Sequence, residues 1–167
     1  MTESRAGVGA AYDALIGLGS NIGDKAANIA QAIELLTGEG DIRLVAASRV
    51  YRTAPWGVTD QDWFANACIA VATDLAPRAL LARCLGVEQT MKRVRKERWG
   101  PRIIDVDVLV YHDCVLNEPD LVVPHPRITQ RGFVLVPLRE IAPGLVIDGR
   151  TLEAWLGDID ASDVVPL

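Results

Sequence analysis

The sequence predicts an α+β domain of the ferredoxin-like, split βαβ type, in which helices cover an antiparallel sheet. Apolar residues alternate with a period of two in some segments and recur at helical spacing in others. These segments follow one another in the order β-α-β-β-α-β, and no internal repeat or linker interrupts them. Further patterns beyond this order predict an extra C-terminal strand and helix.

A short apolar run and a capped periodic segment predict the first strand and helix. Residues 14–18 (ALIGL) form the run, which ends at Gly-Ser-Asn. Asp24 is a typical N-cap because its side chain accepts hydrogen bonds from the free amides of a first helical turn. Gly38 predicts the end of the helix. The apolar residues at helical spacing between them are Ile29, Ile33 and Leu36.

Two further strands and a second helix follow. Residues 42–51 and residues 66–73 alternate apolar side chains as strands do. Residues 52–63 between them carry Pro, Gly and several polar groups, which predicts a loop. Pro77 suits the first turn of a helix, where its missing amide hydrogen has no partner to lose. The apolar stripe of this helix continues to Met91.

The last third of the chain begins with the clearest strand pattern, at residues 103–111. A short strand is predicted near residues 115–116, followed by the proline-punctuated stretch 122–133 (VVPHPRITQRGF). Residues 145–147 predict a further strand, and residues 151–156 predict a last short helix.

Composition and charge exclude several classes of protein. The 167 residues are 50% hydrophobic and 23% charged, close to the globular average, so a disordered chain is excluded. We expect one domain over residues 14–167, preceded by a flexible extension over residues 1–13. No secretory signal and no apolar run of membrane length are evident, so a membrane partner is not expected. A net charge of −5 argues against nucleic acid as a partner.

The cysteines predict neither a metal site nor a disulfide framework. Cys68, Cys84 and Cys114 lie far apart and form no CxxC pair. All three are expected to be buried, since free cysteine behaves as a small apolar residue. A reduced, cytoplasmic location fits this pattern.

One segment of this acidic chain is strongly basic. Residues 93–102 (RVRKERWGPR) contain five basic side chains and one acidic side chain. So much like charge is not readily buried, and the segment is expected to be mobile. A single basic patch on an acidic protein favours a compact anionic ligand over a long polyanion. For Lys96, Glu97 and Arg98, a plain solvated charge run remains an equally good interpretation.

Two aspartates occupy the strand that follows the basic segment. Because side chains alternate along a strand, Asp105 and Asp107 share one face, roughly 7 Å apart by the ~3.3 Å rise per residue. The other face is predicted to point into a core with Ile104, Val106, Val108 and Val110. Neighbouring carboxylates repel, and a divalent cation removes that penalty. Oxygen ligands completed by substrate phosphates are what Mg²⁺ prefers. The alternative is an exposed strand face whose carboxylates pair with nearby arginines.

Carboxylates for a metal and guanidinium groups for phosphate oxygens are the groups that phosphoryl transfer requires. Arginine suits this task because its planar fork binds phosphate through two hydrogen bonds. Two other interpretations remain open: a split βαβ module that holds RNA on the basic segment, and a kinase that releases ADP.

Several motifs together resemble the 6-hydroxymethyl-7,8-dihydropterin pyrophosphokinase family. The strongest part of the resemblance is Arg93-Val94-Arg95, Glu97-Arg98-Trp99-Gly100-Pro101-Arg102 and Asp105-x-Asp107. Five more stretches occur in the family's order: Gly19-Ser20-Asn21, Tyr51-Arg52-Thr53, Phe64-x-Asn66-Ala67, Val123-Pro124-His125 and Arg131-Gly132-Phe133. The resemblance covers nearly the whole chain after residue 13. It implies transfer of pyrophosphate from the co-substrate ATP to the pterin, with AMP as the other product.

The resemblance also implies roles for individual residues. Asp105 and Asp107 bind two Mg²⁺ ions, and Arg93, Arg95 and Arg102 join them in catalysis. Nucleotide contacts are implied for Glu88, Arg93, Arg95, Trp99, Arg102, Ile104, His125 and Arg131. Pterin contacts are implied for Thr53, Pro55, Trp56, Phe64, Asn66 and Phe133, with the two phenylalanines stacked on the ring.

Some positions depart from the family's pattern. Pro126 follows the histidine where an aromatic residue is frequent, Ala54 replaces a frequent proline, and the basic loop is shorter than in some relatives. Loops 52–63 and 92–102 are expected to close over the bound substrates. A monomer acting on small molecules is expected.

Overall fold

A six-stranded antiparallel sheet forms the centre of the computed structural model, which describes residues 11–54, 62–92 and 103–167. The strands of this sheet are β1 (Ala14–Ser20), β2 (Ile42–Ala47), β3 (Tyr51–Thr53), β4 (Phe64–Thr73), β5 (Asp105–Tyr111) and β10 (Val165–Pro166). The helices are α1 (Lys25–Thr37), α2 (Pro77–Lys92), α3 (Gly132–Ile141) and α4 (Leu152–Leu156). Two hairpins complete the fold: β6 (Leu116–Glu118) with β7 (Leu121–Val123), and β8 (Val146–Ile147) with β9 (Arg150–Thr151).

The sheet runs in the order β10-β3-β4-β1-β5, and β2 pairs with the far end of β4. Helices α1 and α2 cover one face of the sheet and enclose the larger core with residues such as Ile16, Ile69 and Val106. Helices α3 and α4 cover part of the other face, where Leu15 and Leu135 belong to a second core. The two layers confirm the predicted α+β, ferredoxin-like arrangement with extra C-terminal elements.

Local signals account for the helix ends that the sequence predicts. The Asp24 carboxylate accepts a hydrogen bond from the Ala27 amide at 3.2 Å, so Asp24 is the N-cap of α1. Thr151 caps α4 in the same way, through a 3.1 Å bond from the Ala154 amide.

The strand predicted over residues 42–51 is divided in the structure. β2 ends at Ala47, and β3 begins at Tyr51 and continues to Thr53, inside the segment that we predicted to be a loop. Ser48 causes the break, because its hydroxyl donates to the Arg49 carbonyl at 2.7 Å and accepts from the Cys68 amide at 3.0 Å. These local bonds replace strand pairing at this point.

A β-bulge in β5 corrects the predicted side-chain alternation. Ile16 of β1 pairs with Val108, but Leu15 pairs with Val110, so Leu109 is the extra residue. Ile104, Val106 and Val108 lie in the larger core as predicted. Val110 does not, because the bulge turns it into the second core.

Helix α3 is absent from the sequence prediction, which described residues 122–133 only as punctuated by prolines. The helix contains Pro137 in its interior. Its apolar face had the spacing of a helix, with Val134, Leu135 and Leu138 buried against the sheet. The prolines on either side of this face obscured the signal.

Burial of the cysteines differs from the prediction at one position. Cys68 and Cys84 are buried, and burial raises the pKa of both thiols, to about 12 for Cys84. Cys114 is exposed in the turn after β5, so its predicted burial is wrong.

Asp13 is held against the sheet just before β1. Its amide donates to the Val71 carbonyl at 2.8 Å, and its carboxylate accepts from the Thr73 amide at 2.8 Å. The flexible extension and the single domain that we expected stay predictions. In the part of the chain that the structure describes, no helix has the length and apolar character needed to cross a bilayer.

Candidate active site

Two glycines open a space on the face of the sheet that α3 only partly covers. Gly19 lies opposite Asp105 and Gly17 lies opposite Asp107 in the antiparallel pairing of β1 with β5. Directly opposed residues project to the same face of a sheet. Because glycine has no side chain, the surface above β1 is left open beside both carboxylates.

A cavity of about 190 Å³ occupies this space. Its walls come from β1, β3, β4, β5, the loop after β7 and the start of α3. The lining residues are Gly17, Leu18, Gly19, Thr53, Ala54, Phe64, Asn66, Ala67, Cys68, Asp105, Asp107, Leu109, His125, Arg131, Phe133 and Val134.

Asn66 and Thr53 form a fixed polar wall. The Asn66 side-chain amide donates to the Thr53 hydroxyl at 2.9 Å, and both side chains are buried. A Cβ atom on Gly19 would lie 2.8 Å from Oδ1 of Asn66, which is closer than such atoms approach. Glycine at position 19 is therefore what allows the amide to lie across β1.

Aromatic side chains reach the cavity from two separate elements. Phe64 is the first residue of β4, and Phe133 is the second residue of α3. Both are half-buried and line the cavity. The predicted pair is therefore brought to one site from positions 69 residues apart in the chain.

The residue before Phe64 is held between two cations. Lys25 Nζ lies 4.1 Å from the centroid of the Trp63 ring, and the Arg52 guanidinium carbon lies 4.8 Å from it. Lys25 also forms an ion pair with Asp62 at 3.0 Å. Cation–π contacts of this kind anchor the start of β4, and with it Phe64.

Charged groups form the opposite wall. Asp105 is half-buried and Asp107 is exposed on β5. The Arg131 guanidinium carbon lies 5.5 Å from the Phe133 ring centroid, and its Nε atom is buried with no hydrogen-bond partner among the described residues. A buried guanidinium donor atom in a cavity that two carboxylates also line suits a ligand that carries negative oxygen atoms.

His125 is hydrogen-bonded to β5, and its pKa is lowered from the ordinary value. Its amide donates to the Leu109 carbonyl at 2.8 Å, and its Nδ1 accepts from the Arg127 amide at 3.2 Å. Burial lowers the pKa of the imidazole, the Asp107 carboxylate raises it, and the neighbouring arginines lower it. With Nδ1 as acceptor, the neutral ring carries its proton on Nε2 and presents a donor there.

A second, more open cavity of about 410 Å³ lies along the outer edge of β5. It shares Asp107 and His125 with the first cavity and also includes Glu88 from α2. The Glu88 carboxylate accepts from the Val106 amide at 2.8 Å, between the two aspartates. Burial raises the pKa of Glu88, the Val106 bond lowers it, and the two aspartates raise it.

The predicted site residues divide into three groups. Eight of them line the first cavity together: Thr53, Phe64, Asn66, Asp105, Asp107, His125, Arg131 and Phe133. Glu88 lines the second cavity, whereas Ile104 is fully buried in the larger core and lines neither. Pro55, Trp56, Arg93, Arg95, Trp99 and Arg102 lie outside the described residues. The sequence prediction gave Gly17 no role, and it placed Gly19-Ser20-Asn21 in a tight turn next to the site. Gly19 does line the cavity, but it lies within strand β1 and not in a turn. The spacing of two between these glycines in a buried strand was a usable signal.

Comparison with known families assigns the chain to one of them. The family described as 7,8-dihydro-6-hydroxymethylpterin-pyrophosphokinase matches residues 15–143. The chain belongs to this family. The matched range contains every residue of the first cavity.

Individual relatives of this pyrophosphokinase family agree in name. A protein of Methylorubrum extorquens, the 2-amino-4-hydroxy-6-hydroxymethyldihydropteridine pyrophosphokinase, is 54% identical over 151 residues, covering 90% of this chain and 96% of the relative. The Bacillus subtilis protein of the same name is 41% identical over 128 residues, covering 77% of both.

Solved structures agree in fold. A crystal structure of Plasmodium falciparum HPPK-DHPS with pteroate superposes with a TM-score of 0.70 at 16% identity, over 88% of this chain and 42% of that chain. The chain thus spans less than half of the solved protein. At this level of identity, the likeness shows the fold alone.

Proposed function

We propose that the chain transfers the pyrophosphoryl group of MgATP to 6-hydroxymethyl-7,8-dihydropterin. The products are AMP and the pterin diphosphate, and the step belongs to folate biosynthesis. The composition of the first cavity supports this proposal independently of the family match. The first cavity combines an aromatic pair and a buried amide–hydroxyl wall with two carboxylates, His125 and Arg131.

The pterin occupies the first cavity in this proposal. A flat bicyclic ring suits the space between Phe64 and Phe133, because offset stacking on aromatic faces adds to the burial of apolar area. The polar edge of the ring meets Asn66 and Thr53, whose geometry is already fixed by the bond between them. Pro55 and Trp56 are predicted to complete this wall.

The nucleotide occupies the second cavity, and its phosphates extend toward Asp107 and His125. These two residues line both cavities, so a phosphate chain beside them reaches the hydroxymethyl group of the pterin. Arg131 and the Nε2 hydrogen of His125 offer donors to the phosphate oxygens. Arg93, Arg95, Trp99 and Arg102 are predicted to add contacts from the basic loop. The nucleotide contact implied for Ile104, the buried residue just before β5, stays a prediction.

The two aspartates suit magnesium that arrives with the nucleotide. Within residues 11–54, 62–92 and 103–167, no group of three or more His, Cys, Asp or Glu side chains is placed to hold a metal by itself. Mg²⁺ is commonly bound by one or two carboxylates together with substrate phosphates and water. Asp105 and Asp107 fit that pattern, and two ions are proposed there. Bound Mg²⁺ lowers the pKa of the attacking hydroxyl and neutralises developing charge.

The reaction is an in-line displacement. The hydroxymethyl oxygen gives up its proton to water and attacks the β-phosphorus. The bond from that phosphorus to the oxygen bridging the α-phosphate breaks, and AMP leaves with that oxygen. The chain contributes mainly position and electrostatics, since phosphoryl transfer needs alignment more than covalent help. Arg131 and His125 bind oxygens whose negative charge changes during transfer. Action as a monomer in a cytoplasmic location is part of the proposal.

Identification of the nucleotide product tests this proposal. The protein is incubated with MgATP, with and without 6-hydroxymethyl-7,8-dihydropterin, and the nucleotides are separated. We expect AMP only when the pterin is present. ADP would keep a phosphate-transfer site but overturn the choice of phosphorus. Absence of both products from folded protein would reject the proposed reaction.

A further inference from the structure

A set of hydrogen bonds joins β3 to α3 outside the cavity. The Tyr51 hydroxyl donates to Glu140 Oε1 at 2.7 Å, and the Arg49 amide donates to the two Glu140 oxygens at 3.2 and 3.1 Å. The Arg49 guanidinium also donates to the Tyr51 hydroxyl at 3.2 Å. Arg49, Tyr51 and Glu140 are called the β3–α3 clasp below.

The two elements that the clasp joins both carry residues that line the first cavity. Thr53 lies two residues after Tyr51, on the same face of β3, and bonds Asn66. Phe133 precedes Glu140 by seven residues, which is two helical turns or roughly 10 Å along α3. Residues seven apart lie on nearly the same side of a helix. The clasp therefore connects the amide–hydroxyl wall to the helix side that carries Phe133.

Directional bonds and apolar packing contribute differently at this junction. Helix α3 packs on the sheet mainly through apolar residues such as Leu135 and Leu138, which lie in the second core. Apolar contacts fill space but tolerate small shifts, whereas hydrogen bonds fix distance and angle. Tyr51 is only 4% exposed, so its hydroxyl depends on the Glu140 carboxylate.

We propose that Tyr51 and Glu140 are positioning residues for the pterin, which set the separation of Phe133 from the Thr53–Asn66 wall. Neither side chain lines the cavity. Their effect is exerted through β3 and α3. This inference rests on the proposed function, because it assigns the pterin to the first cavity.

Replacement of one hydroxyl group tests the inference. In Tyr51→Phe the ring remains and the bond to Glu140 is lost. We expect kcat/KM for the pterin to fall roughly fivefold. Loss of a strong hydrogen bond to a charged group corresponds to about a tenfold change. The effect here is smaller because the Glu140 side chain is partly exposed. The KM for ATP is expected to change less than kcat/KM for the pterin, because the second cavity lies at β5, the sheet edge away from β3.

Tyr111→Phe provides the matched control. The Tyr111 hydroxyl also donates to one acceptor, the Leu75 carbonyl, but at the opposite end of the sheet. This variant is expected to lose stability while keeping the wild-type kcat/KM for the pterin. Equal pterin kinetics in Tyr51→Phe and Tyr111→Phe would overturn the inference. Glu140→Gln, which keeps an acceptor, is expected to retain more activity than Glu140→Ala.

Hydrogen exchange separates this inference from the proposed function. In the free Tyr51→Phe protein, amides of β3 and of the first turn of α3 are expected to exchange faster than in Tyr111→Phe. Wild-type protein that forms no AMP would reject the proposed function, and the exchange data would still test the clasp. Unchanged exchange in both segments would reject the clasp.

Discussion

Glycine decides the shape of the cavity at the level of single residues. A Cβ atom at position 19 meets the Asn66 amide at 2.8 Å, whereas one at position 17 meets only the flexible end of Leu109, at 3.3 Å. Position 19 is thus the stricter of the two. The backbone of β1 is extended there, so the requirement arises from the close approach of Asn66 and from no special backbone angle.

Gly19→Ala is expected to damage pterin use selectively. The new methyl group displaces the Asn66 amide and breaks its buried bond to Thr53, which costs about 1–3 kcal/mol in the free energy of unfolding. We expect kcat/KM for the pterin to fall about tenfold, in steady-state assays at saturating MgATP.

A second glycine supplies the control for this variant. Gly86 lies within α2, and a Cβ atom there meets nothing within 4 Å. Gly86→Ala is expected to raise the free energy of unfolding by up to about 1 kcal/mol, since alanine favours the helix. A kcat/KM for the pterin equal to the wild-type value in Gly19→Ala would show that the Asn66 side chain and its bond to Thr53 do not position the pterin.

His125 is expected to give stability a dependence on pH. Burial lowers its pKa below the ordinary value of 6.5 in the folded protein. Between the two pKa values the unfolded chain binds more protons, so stability falls as the pH drops through that window and is fully present above it. Urea unfolding at several pH values from about 7.5 to about 5 measures this slope. His125→Gln is expected to flatten it, and an unchanged slope would contradict the assignment.

At the level of elements, the C-terminal segment from Ala161 to Leu167 contacts two elements that line the cavity. β10 pairs with β3, and the Leu167 amide donates to the Val50 carbonyl at 2.9 Å. Ala161, four residues before β10, packs closely on Gly132. A Cβ atom added to Gly132 would lie 3.0 Å from the methyl group of Ala161. Gly132 precedes Phe133, so this segment contacts both β3 and the start of α3.

Removal of residues 165–167 tests that support. We expect a lower melting temperature and a several-fold lower kcat/KM for the pterin, because β3 loses its outer partner and becomes a free edge. The KM for ATP is the internal control. Equal losses for both substrates would indicate general destabilisation and would contradict a selective role of β10.

Sequence periodicity predicted the elements whose signals are local. The α1 cap at Asp24, the strands β1 and β4 and the final helix all follow from neighbouring residues. The prediction failed where distant contacts decide the structure. The bulge at Leu109 depends on pairing with β1, and helix α3 is stabilised by its apolar face against β4 in spite of Pro137.

At the scale of the whole molecule, most of the candidate site could be predicted because motifs spread along the chain share one family pattern. The structure brings eight of those residues to one cavity. The division of the candidate site into two adjoining cavities could not be predicted, because it depends on the position of β5 at the edge of the sheet. The β3–α3 clasp could not be predicted either, because Tyr51 and Glu140 are 89 residues apart in the sequence.

We propose that pyrophosphoryl transfer takes place beside Asp105 and Asp107, which line the cavity assigned to the pterin. The most direct test is AMP formation by Asp107→Asn, which keeps the shape of the side chain and removes its charge. Asp113→Asn, at an exposed position just beyond β5, is the control.

In the presence of MgATP and 6-hydroxymethyl-7,8-dihydropterin, we predict wild-type AMP formation in Asp113→Asn. In Asp107→Asn we predict a loss of roughly a thousandfold with an unchanged circular dichroism spectrum. Near-normal AMP formation by a folded Asp107→Asn protein would contradict the account.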